Sequence, residues 1–134
     1  IERMRINSVG SLTLNTTLAG TGNTAGASYS FNGALSLGVS PGTATFVLPN
    51  GIGTHAGTIE VDCLRNGNGG VQTARLYHVA SFSGTSPAPA IVNSLDSGSA
   101  IAFTLTKSGG TYTLTNGDAN AVTCFYSGTV TSAG

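Results

Sequence analysis

The sequence predicts an all-β fold, a jelly-roll-like β-sandwich preceded by a short, shaft-like N-terminal β segment. Three observations carry that prediction. Twenty glycines with abundant Thr, Ser and Asn supply turns, Thr and Val fill strands, and no stretch repeats apolar residues at the helical period. Alternating apolar and polar runs recur between turn dipeptides, enough for about eight to ten short strands. Only 7% of the 134 residues are charged, against about 25% in an ordinary soluble domain, so hydroxyls and amides must carry the solubility.

The elements follow in chain order. Met4 and Ile6 fall on one face of an opening strand and Arg3 and Arg5 on the other; residues 7–10 turn, and Leu12 and Leu14 resume the alternation. A two-stranded ribbon cannot bury an apolar stripe by itself. Met4, Ile6, Leu12 and Leu14 therefore pack either on the domain behind them or on sister chains. Residues 1–18 are read as a segment of their own, residues 19–27, all small, as a linker, and residues 28–134 as a C-terminal sandwich domain.

Within the head, strands are expected at 28–31, 34–39 and 43–48, cut by Asn32-Gly33, Pro41-Gly42 and Asn50-Gly51. Residues 57–65 alternate cleanly, with Ile59, Val61 and Cys63 on one side and Glu60 and Asp62 on the other. After a loop at 66–70, residues 71–82 form a long strand, and the two make a hairpin. On that second strand the parity of Ala74, Leu76, Ala80 and Phe82 reads as the apolar side. A Pro- and Ser-rich loop at 83–89 precedes a short strand at 91–95 and a turn at Asp96-Ser97-Gly98. Strands at 101–107 and 111–116 flank Ser108-Gly109-Gly110, and Asn116-Gly117-Asp118 turns into a last strand at about 121–130.

Charge and length narrow the partners. Five basic and five acidic residues give a formal net charge of zero and a pI near 6.9, which removes the basic footprint of a nucleic-acid binder. It also removes the repulsion that keeps copies apart, favouring self-association. No run approaches the roughly 20 apolar residues of a membrane helix, so no membrane insertion is expected. The chain begins at Ile1 without an initiator Met and is read as a C-terminal piece of a longer polypeptide. Cys63 and Cys124 both sit on apolar parities and are expected as small, free core side chains; a bridge would require their strands to be neighbours.

Candidate chemistry is sparse. Glu60 and Asp62 are two apart on one strand face, about 7 Å, a separation an inverting glycosidase uses; the plainer reading is a solvated face. Asp96 and Asp118 read as turn formers bonded to their own backbone. His78, on the apolar-looking parity, reads as a hydrogen-bonded core or interface histidine, or as an axial ligand in a trimer; His55 reads as an exposed loop residue. No marker of an activated serine is present, and no catalytic residue, metal site or cofactor is assigned. Loops at one end of a sandwich suit recognition, which makes Arg65, Asn66, Asn68, Tyr77, Asn116 and Asp118 the candidate receptor contacts.

At its start, Glu2-Arg3-Met4-Arg5-Ile6 followed by Asn7-Ser8 and Gly10 resembles the E-R-M-R-I-(D/N/T)-S-x-G repeat of bacteriophage tail fibres and tailspikes. Ser11-Leu12-Thr13-Leu14 stands where that family often continues N-V-G-I-G-T. The resemblance implies an intertwined trimeric shaft, with residues 1–18 as its end or trimerisation segment, handing over to residues 28–134 as a C-terminal β-sandwich head. It further implies a virion protein, outside the cell, that partners itself as a homotrimer and a host-surface glycan or protein. It leaves open a structural fibre cap or capsid decoration module without ligand, and a glycan depolymerase using Glu60 and Asp62.

Overall fold

A computed structural model of the chain describes residues 4–6, 12–14, 25–67, 70–82 and 87–133. Strands β1 (Met4–Ile6) and β2 (Leu12–Leu14) pair antiparallel, Met4 opposite Leu14 and Ile6 opposite Leu12. The four apolar positions of the expected interface therefore share one parity of the ribbon; what covers their side chains, and the linker at 19–24, lie outside the described residues.

Eight further strands follow: β3 (Ser28–Leu37), β4 (Thr43–Val47), β5 (His55–Arg65), β6 (Gln72–Ser81), β7 (Ala90–Ser97), β8 (Phe103–Ser108), β9 (Thr111–Asn116) and β10 (Val122–Ser132). They form two antiparallel sheets, ordered β3-β10-β5-β6-β7 and β4-β9-β8. The first of the eight pairs with the last, and the second with the last but one, as in a jelly roll. The middle departs from that scheme: β5, β6 and β7 stay together as a meander, so five strands lie over three. No helix is long and apolar enough to cross a membrane, a statement restricted to the described residues.

Period-two alternation builds the core between the sheets. Ile59, Val61, Tyr77, Val79, Val122 and Val130 of the larger sheet meet Phe46, Phe103, Leu105, Tyr112 and Leu114 of the smaller. Phe46 is sandwiched between two tyrosines, with ring centroids 4.0 Å from Tyr126 and 5.3 Å from Tyr112, both nearly parallel. Such stacked pairs add about 0.5–1.5 kcal/mol each beyond the area they bury. They tie β10 of one sheet to β4 and β9 of the other.

Asn32-Gly33 is no turn: β3 runs straight through it. Gly33 lies opposite Tyr126 across the β3–β10 ladder, and a Cβ there would sit 2.4 Å from the tyrosine oxygen. The reverse arrangement occurs two rows away, where Gly128 faces Phe31 and a Cβ would approach its ring to 2.7 Å. Each glycine makes room for an aromatic ring laid across it, a cross-strand pairing that compensates for a missing side chain. The Gly109-Gly110 hairpin is present as expected, Ser108 pairing with Thr111 and Gly109 taking φ +58°.

Three other expectations are corrected. Cys63 and Cys124 are bridged, with Cα atoms 4.0 Å apart. β5 and β10 are sheet neighbours and the two cysteines face each other in register, a relation that a sequence separation of 61 conceals. The two histidines exchange roles. On β6 the inward parity belongs to Thr73, Tyr77 and Val79, leaving His78 exposed with Leu76 and Ala80 on the outer face. β5 begins earlier than expected, and His55, its first residue, is fully buried. Its Nδ1–H donates to the Gly53 carbonyl at 2.9 Å, so Nε2 accepts the Tyr112 hydroxyl at 2.6 Å. Burial holds its pKa below the usual histidine value, against the opposing pull of the Gly53 bond.

Candidate functional site

The expected loop contacts do gather at one end of the sandwich, but as a fold-holding network. Arg65, the last residue of β5, donates from Nε to Asp118 Oδ1 at 3.1 Å and from Nη2 to Oδ2 at 2.5 Å. This is the two-pronged geometry that suits a guanidinium and a carboxylate. The Arg65 hydrogen bonds, then the Asn120 backbone N–H, hold the Asp118 carboxyl down at about 2. Asp118 is thus the turn former the sequence implied, with a counter-ion added. Fully buried Asn116 donates from Nδ2 to the carbonyls of Gly38 and Asn120 and accepts the Asp118 N–H. The knot clamps the β9–β10 turn to the β3–β4 turn, where the Ser40 N–H also bonds the Asp118 carbonyl.

Arg65, Asn116 and Asp118 thus hold the turns of the sandwich together, Arg65 with Asp118 and Asn116 with the Asp118 N–H and neighbouring carbonyls. Tyr77 is a second correction. Its side chain is in the core, since Tyr77 and Val79 rather than Leu76 and His78 face inward. Burial pushes its hydroxyl pKa up, with the neighbouring Arg75 guanidinium opposing. Asn66 remains at the surface, accepting the Thr123 hydroxyl at 2.9 Å; Asn68 lies outside the described residues.

The outer face of the five-stranded sheet offers a broad, shallow surface to a ligand. Strand register aligns Asn32, Ser127, Glu60 and Leu76 in one row across β3, β10, β5 and β6, and Ala34, Phe125, Asp62 and Ala74 in the next. Two overlapping shallow depressions of about 470 and 540 Å³ share Asn32, Glu60 and Ser127. Asp62 is oriented by the Gln72 amide, whose Nε2 lies 2.8 and 2.9 Å from its two oxygens. Glu60 has no hydrogen-bond partner among the described residues and is exposed. Phe125 stands 47% exposed beside the acids, an aromatic platform in a lining of carboxylate, hydroxyl, amide and aliphatic groups.

Glu60 and Asp62 therefore share one face, as their spacing predicted. Asn32, Ser127 and Phe125 escaped sequence reasoning. The available signal was parity: Phe125 lies between Cys124 and Tyr126, on the opposite side from both, and so had to point away from the core. Among the described residues, no group of three or more His, Cys, Asp or Glu side chains is placed to hold a metal ion.

No family model and no curated protein matches the chain. Among solved structures, it is similar to the Acinetobacter phage vB_ApiP_P1 tailspike protein, with a TM-score of 0.46 and 9% sequence identity. The likeness covers 76% of this chain and 21% of that one, so the sequence spans about a fifth of the protein it is compared with.

Proposed function

We propose that this chain is a non-enzymatic head domain of a phage tail fibre or similar virion appendage, homotrimeric, attaching to a host-surface glycan or protein. The observation that carries the reading is the outer face of the five-stranded sheet, a shallow trough in which Phe125 stands beside Glu60, Asp62, Asn32 and Ser127. Sugars are bound by this combination, an apolar plate for ring C–H groups and acceptors for hydroxyls. The fibre-like motif at Glu2 to Gly10 supplies the biological setting. Shallow sites bind weakly one at a time, and three copies on one fibre raise the effective concentration without new contacts.

Self-association has its own support. All eight residues of the edge strand β7 are exposed, with Ile91, Val92 and Leu95 at 56%, 62% and 67%. An uncovered apolar edge is a liability in a lone subunit, and a net charge of zero does not oppose its burial by a neighbouring copy. Light scattering is expected to give three times the chain mass, and a stable monomer at micromolar concentration counts against the trimer. Labelled protein is expected to bind host cells, with Phe125→Ala lowering retention at least tenfold.

A second reading is favoured by one observation: Glu60 and Asp62 lie in the same trough on one strand face, and a two-residue step of about 7 Å falls within the separation of inverting glycosidases. A depolymerase would release reducing ends from host polysaccharide, and Glu60→Gln would abolish that release. Absence of release by the unaltered protein eliminates this reading while leaving attachment intact.

A further inference from the structure

Arg65 and Arg75 sit on the same face of the five-stranded sheet with opposite degrees of satisfaction. Arg65 gives its Nε and Nη2 donors to Asp118. Arg75 gives Nη1 to the Phe103 carbonyl at 2.6 Å and lays its guanidinium over the Phe103 ring, 4.4 Å from the centroid. No carboxylate forms a salt bridge with Arg75 among the described residues; the side chain its charge acts on is the Tyr77 hydroxyl, two residues along. That hydroxyl is buried on the same face, within reach of the Arg75 guanidinium.

Arg75 lines a cleft of about 310 Å³ across one end of the three-stranded sheet, together with Thr104, Thr115, Ser40, Pro41 and Ala102. Thr104 and Thr115 are cross-strand partners, so their side chains stand side by side. None of the lining residues is acidic. A half-buried guanidinium with no paired carboxylate favours a planar carboxylate, and neighbouring hydroxyls with small apolar walls suit a sugar ring better than an extended peptide.

We propose that this cleft binds a carboxylate-bearing sugar, a uronic acid residue of a polysaccharide. Its carboxylate pairs with the Arg75 guanidinium where that residue lines the cleft, and its ring hydroxyls bond Thr104 and Thr115. The cleft belongs to the opposite side of the sandwich from the Glu60 trough and does not depend on the attachment reading.

The test titrates the isotope-labelled 134-residue chain with methyl glucuronide and methyl glucoside, which differ at the position of the acid, and follows backbone amide signals. Methyl glucuronide is expected to shift Thr104, Thr115 and Gly117, and methyl glucoside at least tenfold less. Arg75→Met is expected to weaken the glucuronide response at least tenfold. Thr104→Tyr, at an exposed position that leaves the core untouched, is expected to block it by filling the cleft. No shift at these residues, equal response to both sugars, or an unchanged response in both variants overturns the proposal. Inorganic sulfate or N-acetylglutamate competing as tightly as methyl glucuronide also overturns it, reducing the cleft to an anion site or an acidic-peptide site.

Discussion

The two faces of the five-stranded sheet are written by alternate residues of the same strands, yet they obey different constraints. The inner face is crowded: Gly33 and Gly128 exist to admit rings, Cys63 is joined to Cys124, and Tyr126 stacks on Phe46. The outer face carries Ser30, Asn32, Thr129, Ser127 and Glu60, side chains that few neighbours restrict. A sheet of this kind holds its shape with one face and is free to vary the other, so stability and recognition are separable by parity along a single strand.

The most direct way to break that comparison is at the centre of the inner face. Phe46→Ala removes a buried ring and both of its stacked partners, with an expected loss of about 5 kcal/mol. Chemical denaturation would measure it, and a loss below about 2 kcal/mol would show that the two sheets are held elsewhere. Opening the bridge comes next. The bond closes a chain segment with a sequence separation of 61, and the loop-entropy model gives about 4 kcal/mol for that length. Replacing Cys63 and Cys124 together by Ala should lower the melting temperature by ~15 °C.

The polar knot at the end of the sandwich is a smaller term with a pH signature. Asp118 has its pKa lowered from 3.8 to about 2 by Arg65. Its contribution is therefore complete above pH 4 and lost as the pH falls through about 2. Asp118→Asn should cost about 2 kcal/mol at neutral pH, by leaving the Arg65 guanidinium without its counter-charge, and should flatten the acid limb of the stability curve. His55 acts over a different range. Its pKa is lowered by burial, so the unfolded chain takes up a proton first and stability should decline as the pH falls below about 6.5. His55→Gln, measured from pH 8 to 5, should remove that slope.

How much of this was legible in the sequence depended on whether a signal was local. The all-β class, the Gly109-Gly110 hairpin, the β5–β6 pairing and the shared face of Glu60 and Asp62 all follow from period-two alternation and turn residues a few positions apart. Parity on β6 was misassigned because Leu76, Ala80 and Phe82 make the outer side the more apolar-looking one, while Thr73 and Arg75 occupy the inner side through bonds to Asp96 and Phe103. Tyr77 and His78 were misplaced as a consequence. Strand order was invisible as well. Nothing near Cys63 announces that β10 returns beside β5, and nothing near Asn32-Gly33 announces the Tyr126 ring that keeps β3 straight.

The smallest expected effects on stability lie on the outer face, and they sharpen the comparison most. Glu60→Gln and Asn32→Ala alter exposed side chains, so each should change unfolding free energy by less than about 0.5 kcal/mol, whereas Phe125→Ser also loses the covered half of a ring and should cost about 1 kcal/mol. Being separated from the Phe46 stack, each should also add to Phe46→Ala without coupling. Host-cell binding is the contrasting readout: Phe125→Ser and Asn32→Ala should lower it by tenfold or more while the chain stays folded. If these variants instead melted early, the outer face would be part of the scaffold, and the division of labour between alternate residues would not hold.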